Sequence, residues 1–285
     1  MTRTIVITGG TNGIGRALAR HYAQRGDQVV AVGSSEDGGR RLREEVPGVR
    51  FIRADLSSLR QSSDLVERLR TEHPVVDALV LAAFRFNPTR VETEEGFEHT
   101  FALYVLNRWL LAEGLRGPLE KAAAPVIINL CGAGQGGAGK GGPGKRGAGK
   151  GGAGKGGLIR WDDLQFKDRY RAVAATMQGA RASELLGAAY ASERTKYVLY
   201  NPVFVATGLH EPFGQPLRSL VRVASAVFAQ PVAKAVRPIA ALIDQPPAEP
   251  LTAWKKGKII DLAVDLNEVR RFEETIRAMA QSGLP

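Results

Sequence analysis

Two patterns of apolar and polar residues alternate along the chain. Short, continuously apolar runs rich in β-branched residues are typical of strands buried on both faces of a parallel sheet. Such runs occupy residues 4–8, 29–33, 49–54, 78–83, 125–131, 197–201 and 258–262. Amphipathic or alanine-rich stretches predict helices at residues 13–25, 59–73, 170–194 and 267–281, with two more between 217 and 244.

The alternation of strands and helices predicts an α/β fold. We expect a Rossmann-type, doubly wound parallel sheet of about seven strands, with helices on both faces. Because the pattern contains no second core, residues 1–285 are predicted to form a single domain.

One segment follows neither pattern. Residues 132–157 are more than half glycine and contain five basic residues but no acidic one. With so few side chains to bury, this segment is expected to be a mobile loop inserted after the fifth strand. Residues 134–141 approach the spacing of a phosphate-binding P-loop, but they lack the Ser or Thr that holds Mg²⁺ and the helix that should follow.

The same loop supplies half of the chain's net charge of +10. It leaves the end of a central strand, where α/β proteins bind ligands, so its lysines are expected to attract an anionic substrate or an acidic carrier protein. A solvated low-complexity insertion is the alternative. Nucleic acid is not an expected partner, because interleaved aromatic residues and groove-reading motifs are missing.

Cysteine, histidine and hydrophobicity exclude several classes of protein. The single cysteine, Cys131, excludes a disulfide framework and fits a reducing cytoplasm. The four histidines are scattered, so no metal site is predicted. The apolar stretch 219–243 is interrupted by Arg222, Lys234 and Arg237, so we expect no membrane span and a cytoplasmic location.

A glycine-rich turn carries the clearest chemical signal. Residues 8–15 (TGGTNGIG) follow the first predicted strand and open the first predicted helix. Glycines in this position allow a tight turn and close approach of the backbone to a pyrophosphate, which then lies at the helix N-terminus. The context therefore predicts a dinucleotide site.

With these residues the chain resembles the short-chain dehydrogenase/reductase family, and in particular its retinol-dehydrogenase-like branch. Residues 54–56 (ADL), 93–97 (TEEGF), 161–165 (WDDLQ) and 201–202 (NP) agree with that family in order and spacing. The resemblance implies that Asp55 bonds the adenine amino group. It implies the following cofactor-binding set: Gly9, Thr11, Asn12, Gly13, Ile14, Gly15, Ser34, Ser35, Asp55, Leu56, Ala82 and Arg181.

The end of the second strand bears on cofactor choice. An acidic residue there would bond the ribose 2′-hydroxyl and repel a 2′-phosphate. Ser34 and Ser35 stand there instead, with Arg40 and Arg41 close behind, whereas Glu36 argues the other way. NADP is therefore favoured over NAD, and a structural or lost cofactor stays open.

The family's catalytic positions are changed in this chain. The resemblance implies a Ser at position 132, a Tyr at 177, a Lys at 181 and an Asn at 104, but the residues are Gly132, Met177, Arg181 and Tyr104. Methionine has no exchangeable proton, so the usual general acid is missing.

The candidates that could replace the missing groups are Tyr104, Cys131 and Arg181. Tyr104 equally fits a packed helix residue, and Cys131 an inert small hydrophobe. Arg181 keeps a positive charge that could bond a ribose but cannot readily exchange a proton. Tyr170, Tyr190 and His210 are weaker candidates, because each fits ordinary packing or a surface position.

These residues favour an atypical enzyme of small-molecule metabolism. Leu81, Phe84, Met177 and Val203 predict a hydrophobic substrate. Non-standard reduction of an activated bond, cyclisation, dehydration and isomerisation all fit. A non-catalytic NAD(P)-binding sensor or scaffold, and an ordinary NADP-dependent carbonyl reductase with a relocated proton donor, stay open. Leucines on two helices are compatible with a homo-oligomer.

Overall fold

A single sheet of eight strands forms the centre of the molecule. The computed structural model describes residues 2–134, 158–190, 192–202 and 232–283. The strands are β1 (Thr4–Thr8), β2 (Gln28–Gly33), β3 (Arg50–Arg53), β4 (Ala78–Leu81), β5 (Val126–Leu130), β6 (Lys196–Asn201), β7 (Leu251–Lys255) and β8 (Lys258–Ile259). Their order is β3-β2-β1-β4-β5-β6-β7-β8, and every neighbouring pair is parallel except β7 and β8.

Helices connect the strands. They are α1 (Gly13–Gln24), α2 (Glu36–Glu45), α3 (Leu59–Glu72), α4 (His99–Phe101), a π-helix (Ala102–Leu106), α5 (Asn107–Gly114), α6 (Arg116–Glu120), α7 (Ala172–Ala189), α8 (Val232–Asp244) and α9 (Leu266–Ser282). α4, the π-helix and α5 follow one another without a break.

Both faces of the sheet are covered by helices. One apolar cluster joins β-strand side chains to Leu18 of α1, Leu42 of α2 and Ile239 of α8. The opposite cluster includes residues of α3, the π-helix, α5, α7 and α9. Strand side chains alternate between the two clusters, as Val6 and Ile7 of β1 do, because successive residues of a strand point to opposite faces. The predicted doubly wound α/β fold is confirmed.

The end of the sheet differs from the prediction. The run at 258–262 was predicted as the seventh parallel strand, but only Lys258–Ile259 is a strand, and it is antiparallel. The seventh parallel strand is β7, which the sequence pattern missed. Lys256 and Gly257 have φ of 52° and 74°, and this left-handed turn folds β8 back on β7.

Two predicted features fall partly outside the described residues. The long helix predicted at 170–194 is the shorter α7, and of the two helices predicted between 217 and 244 the second is α8, while the first lies outside the described residues. Of the glycine- and lysine-rich segment, residues 132–134 are described and 135–157 lie outside. No helix in the described part of the chain is long and apolar enough to span a membrane.

Candidate functional site

The turn between β1 and α1 is built by backbone packing. Gly9 has a φ of 64°, and a Cβ on it would lie 2.9 Å from the carbonyl oxygen of Ala82. A Cβ on Gly15 would overlap the carbonyl of Gly9. Asn12 caps α1 by accepting a hydrogen bond from the Gly13 amide at 2.8 Å. The first turn of α1 therefore packs directly against the loop that precedes it.

This turn opens into a cavity of about 970 Å³. The cavity lies at the carboxyl ends of the central parallel strands, where ligands bind in open α/β sheets. Most of the residues predicted to bind a cofactor line it: Gly9, Thr11, Asn12, Gly13, Ile14, Gly15, Ser34, Asp55, Leu56 and Ala82. Ser35 and Arg181 are not among the lining residues.

Ser35 serves the local fold. It is the N-cap of α2, and its hydroxyl accepts a hydrogen bond from the Gly38 amide at 3.1 Å. The neighbouring Ser34 lines the cavity. The charges that bear on cofactor choice are paired within α2, because Arg40 contacts Asp37 at 2.8 Å and Arg43 contacts Glu36 at 3.2 Å.

Asp55 keeps one carboxylate oxygen occupied. Its Oδ1 accepts hydrogen bonds from the backbone amide of Ser57 at 3.0 Å and from the Ser57 hydroxyl at 2.7 Å. These contacts fix the carboxylate at the cavity wall, beside Leu56.

Arg181 belongs to a buried ion network instead of the cavity. Its guanidinium contacts Glu184 at 2.9 Å and Glu268 of α9 at 2.5 Å, and it donates to the carbonyl of Ala263 at 2.8 Å. Glu184 also accepts a hydrogen bond from the Gly134 amide at 2.9 Å. The network ties α7 to α9 and to the end of the segment after β5.

The geometry of α7 explains this placement. Val173, Thr176, Met177 and Ala180 line the cavity, at the 3–4-residue spacing of one helix face. Residue 181 is rotated by about 100° from residue 180 and therefore faces the neighbouring helix.

Tyr104 lies in the π-helix and lines the cavity. π-Helical turns are rare and often occur at functional sites. Its ring meets Phe84 edge-on, with 5.3 Å between centroids. Burial raises the pKa of the Tyr104 hydroxyl, and the nearby positive charge of Arg108 opposes that rise.

Arg108 was not predicted as a site residue. Its side chain is 1% exposed, and its guanidinium carbon lies 3.9 Å from the centroid of the Tyr104 ring. It donates hydrogen bonds to Asn129 of β5 and to the carbonyl of Ala83, the latter at 3.2 Å. Asn129 in turn donates to the hydroxyl of Tyr197 at 2.9 Å. No carboxylate within the described residues pairs with Arg108. Its position four residues after Tyr104, on the same helix face, is the sequence feature that could have identified it.

Cys131 is a buried member of the cavity wall. It is 3% exposed, and burial raises the pKa of its thiol to about 12. The thiol is therefore protonated at neutral pH and is a poor nucleophile or base. Gly132 and Met177 also line the cavity, whereas Tyr170 and Tyr190 do not, and His210 lies outside the described residues.

The first half of the chain is similar to a known family. Residues 3–142 match the family model described as short chain dehydrogenase. This segment is similar to the short chain dehydrogenase family. Tyr104 is the one tyrosine in the part of the cavity wall that the structure describes.

Two curated relatives share this short chain dehydrogenase segment. The "Putative daunorubicin C-13 ketoreductase" of Streptomyces sp. (strain C5) is 40% identical over 119 residues, covering 40% of this chain and 42% of its own. Mouse retinol dehydrogenase 13 is 33% identical over 134 residues, covering 45% of this chain and 40% of its own. The matches thus span less than half the length of these relatives.

A solved structure extends the fold likeness to nearly the whole chain. A "putative short chain dehydrogenase" of Shigella flexneri 2a strain 301, in complex with NADP, superimposes with a TM-score of 0.61. It is 16% identical, and the superposition covers 90% of this chain and 97% of that one. The short chain dehydrogenase fold therefore continues beyond residue 142.

Proposed function

We propose that this protein is an NAD(P)-dependent oxidoreductase that reduces a carbonyl or similarly activated bond in a hydrophobic small molecule. The observation that carries the proposal is one continuous cavity. Its wall combines the glycine turn with apolar side chains that include Phe84 and Met177. A binding site for a dinucleotide and a space for a second reactant therefore lie side by side.

The residues of the turn fit a dinucleotide. Its amides lie at the N-terminus of α1, whose first turn carries no acidic side chain to repel a pyrophosphate. Ser34 would contact the adenosine ribose and Asp55 the adenine, while Leu56 and Ala82 would supply apolar contacts. When bound, the dinucleotide supplies hydride to an electrophilic carbon.

NADPH is the proposed form of the cofactor. Asp37 and Glu36 are paired with Arg40 and Arg43 of α2, which weakens their repulsion of a 2′-phosphate. The hydroxyl of Ser34 can donate to that phosphate. The NADP complex of the Shigella flexneri protein supports the same choice.

The apolar part of the wall favours an apolar substrate. It includes Phe84, Leu103, Val173 and Met177, and Arg85 is the one arginine or lysine in the described wall. The Streptomyces relative is named as a ketoreductase of daunorubicin, and this name supports a ketone of a bulky hydrophobic compound as the substrate class.

The first experiment measures the binding of NADPH and NADH by nicotinamide fluorescence. The wild type is compared with Gly13→Trp, which fills the turn, and with Gly117→Ala, at a glycine with open space around it. Micromolar binding that is lost only in Gly13→Trp, with tighter binding of NADPH, supports the proposal.

Turnover is then measured as oxidation of NADPH in the presence of 9,10-phenanthrenequinone and α-tetralone. Reduction of either compound supports an oxidoreductase. Dinucleotide binding without reduction of either compound overturns the proposal in favour of a sensor or scaffold. Absence of dinucleotide binding up to millimolar concentration overturns it in favour of chemistry that needs no cofactor.

A further inference from the structure

We propose that Tyr104 is the proton donor of the reaction and that Arg108 is the residue that positions and polarises it. This inference rests on the proposed function, because it names the group that completes the reduction. In the family that the chain resembles, a Tyr and a Lys at positions 177 and 181 of α7 would have these roles. Here the pair would perform them from a different helix.

Three independent features hold the Tyr104 ring in place. Tyr104 lies in the π-helical turn, whose wider backbone sets the direction in which its side chain leaves the helix. A Cβ on Gly179 of α7 would lie 2.8 Å from Cδ1 of Tyr104, so only glycine lets the ring pack directly on α7. The ring of Phe84 packs edge-on against the ring of Tyr104 and is the third contact that holds it. The ring therefore has little freedom to leave the cavity wall.

The charge beside Tyr104 is unusual because it lacks a carboxylate partner in the described residues. Arg108 is fully buried and donates hydrogen bonds to three neutral acceptors, namely Asn129, the hydroxyl of Ser183 and the carbonyl of Ala83. Burying a cation without a carboxylate partner is costly. A phenolate on Tyr104 would be that partner during the reaction, since Arg108 lies over the Tyr104 ring and opposite charges attract strongly at low dielectric.

The chemical balance of the step is simple. With a reduced nicotinamide dinucleotide as the hydride donor, which would be left oxidised, the substrate carbon would gain a hydride and the π electrons of its C=O bond would move onto oxygen. That oxygen takes the phenolic proton of Tyr104, which gives an alcohol and leaves Tyr104 as a phenolate beside Arg108. A proton from water that enters the open cavity restores the phenol.

The first test asks whether Arg108 controls the ionisation of Tyr104, and it needs no turnover. The protein is labelled with 3-fluorotyrosine, and the six tyrosine signals are titrated by fluorine NMR. The signal lost in Tyr104→Phe identifies Tyr104. In Arg108→Met the pKa of that signal is expected to rise by about one to three pH units, while an unchanged pKa would overturn the role of Arg108.

The second test asks whether Tyr104 gives the proton. Tyr104→Phe is expected to reduce turnover of 9,10-phenanthrenequinone or α-tetralone by about 10²–10⁴-fold, with an unchanged dissociation constant for NADPH. Tyr190→Phe is the matched control, because Tyr190 is also buried under an arginine, Arg116 at 4.0 Å, but does not line the cavity. It is expected to keep full turnover.

The outcomes separate the two proposals. If Tyr104→Phe reduces the probes as fast as the wild type, the donor assignment is overturned and the oxidoreductase proposal stands. If the wild type itself reduces neither probe, the oxidoreductase proposal fails and the donor assignment falls with it. The pH dependence of turnover is also measured in Arg108→Met. If its decline at alkaline pH matches that of the wild type, the proposed effect of Arg108 on Tyr104 is contradicted.

Discussion

Single residues in this site act mainly through how closely they let their neighbours approach. Gly15 admits the carbonyl of Gly9, and Gly179 admits the ring of Tyr104. In both places one added methyl group has no room, because backbone or a ring already fills the space. Burial has a second effect at Cys131, where it suppresses the reactivity that a thiol would otherwise show.

Gly15→Ala is expected to weaken dinucleotide binding at least tenfold and to lower the free energy of unfolding by about 1–3 kcal/mol. The new Cβ would push α1 away from the Gly9 carbonyl. Fluorescence titration and urea denaturation measure the two effects. Gly117→Ala is the control, since its Cβ would meet nothing within 4 Å, and equal effects in both variants would contradict the explanation.

Cys131 is expected to react slowly with iodoacetamide in the native protein. Because burial holds its pKa near 12, the thiol is neutral below that pH, and the reactive thiolate is scarce. Mass spectrometry reports a single site, since the chain has one cysteine. Labelling at pH 8 should become fast only on addition of denaturant. Rapid labelling of the folded protein would show that the thiol is accessible and ionised.

At the scale of elements, α7 performs two tasks with two faces. One face lines the cavity, and the other carries Arg181 and Glu184, which link the helix to α9. An arginine that the family resemblance assigned to the cofactor thus serves in holding helices together.

Arg181→Met is expected to cost about 3–5 kcal/mol of stability, because it leaves the buried carboxylate of Glu184 without its cation. Adding Glu184→Gln should recover part of that loss. Chemical denaturation measures both variants. Under native conditions the dissociation constant for NADPH should stay at the wild-type value, and a weakened constant with unchanged stability would instead favour the ribose contact.

The elements also show why the sequence predicted some features and not others. Local patterns were sufficient for β1, α1 and α3, whose apolar residues lie on clear faces. β7 was missed because its sequence, LTAWK, is not continuously apolar and follows three prolines. β8 was misassigned because a left-handed turn at Lys256 reverses the chain. The burial of Arg108 beside Tyr104 and the direction of the Arg181 side chain away from the cavity both depend on contacts between elements that are distant in sequence. The spacing of residues along one helix does not predict such contacts.

At the scale of the whole molecule, one charge cluster joins distant parts of the chain. Asp244 at the end of α8 contacts Arg25 at 2.6 Å and Arg3 at 2.9 Å. Burial by itself would raise the pKa of Asp244, but hydrogen bonds from the two arginines hold it below its ordinary value. The cluster fastens α8 to α1 and to the start of β1.

Asp244→Asn is expected to lower stability at neutral pH and to lose this effect in acid. Because the pKa of the folded form is depressed, the ionised carboxylate stabilises the protein above the unfolded-state pKa of about 4. The benefit disappears as pH falls through the lower folded-state value. Urea denaturation between pH 7 and 3 measures the difference, and Asp64→Asn, at an exposed position, serves as control. A difference that persists at pH 3 would contradict this account.

The two outer strands of the sheet have a consequence for how molecules meet one another. β3 has four residues and carries an arginine at each end, and β8 has two residues, one of them Lys258. Short, charged edges give a strand from another molecule little backbone to pair with. In concentrated solution we therefore expect this sheet to resist edge-to-edge growth into fibrils, although its central strands are continuously apolar.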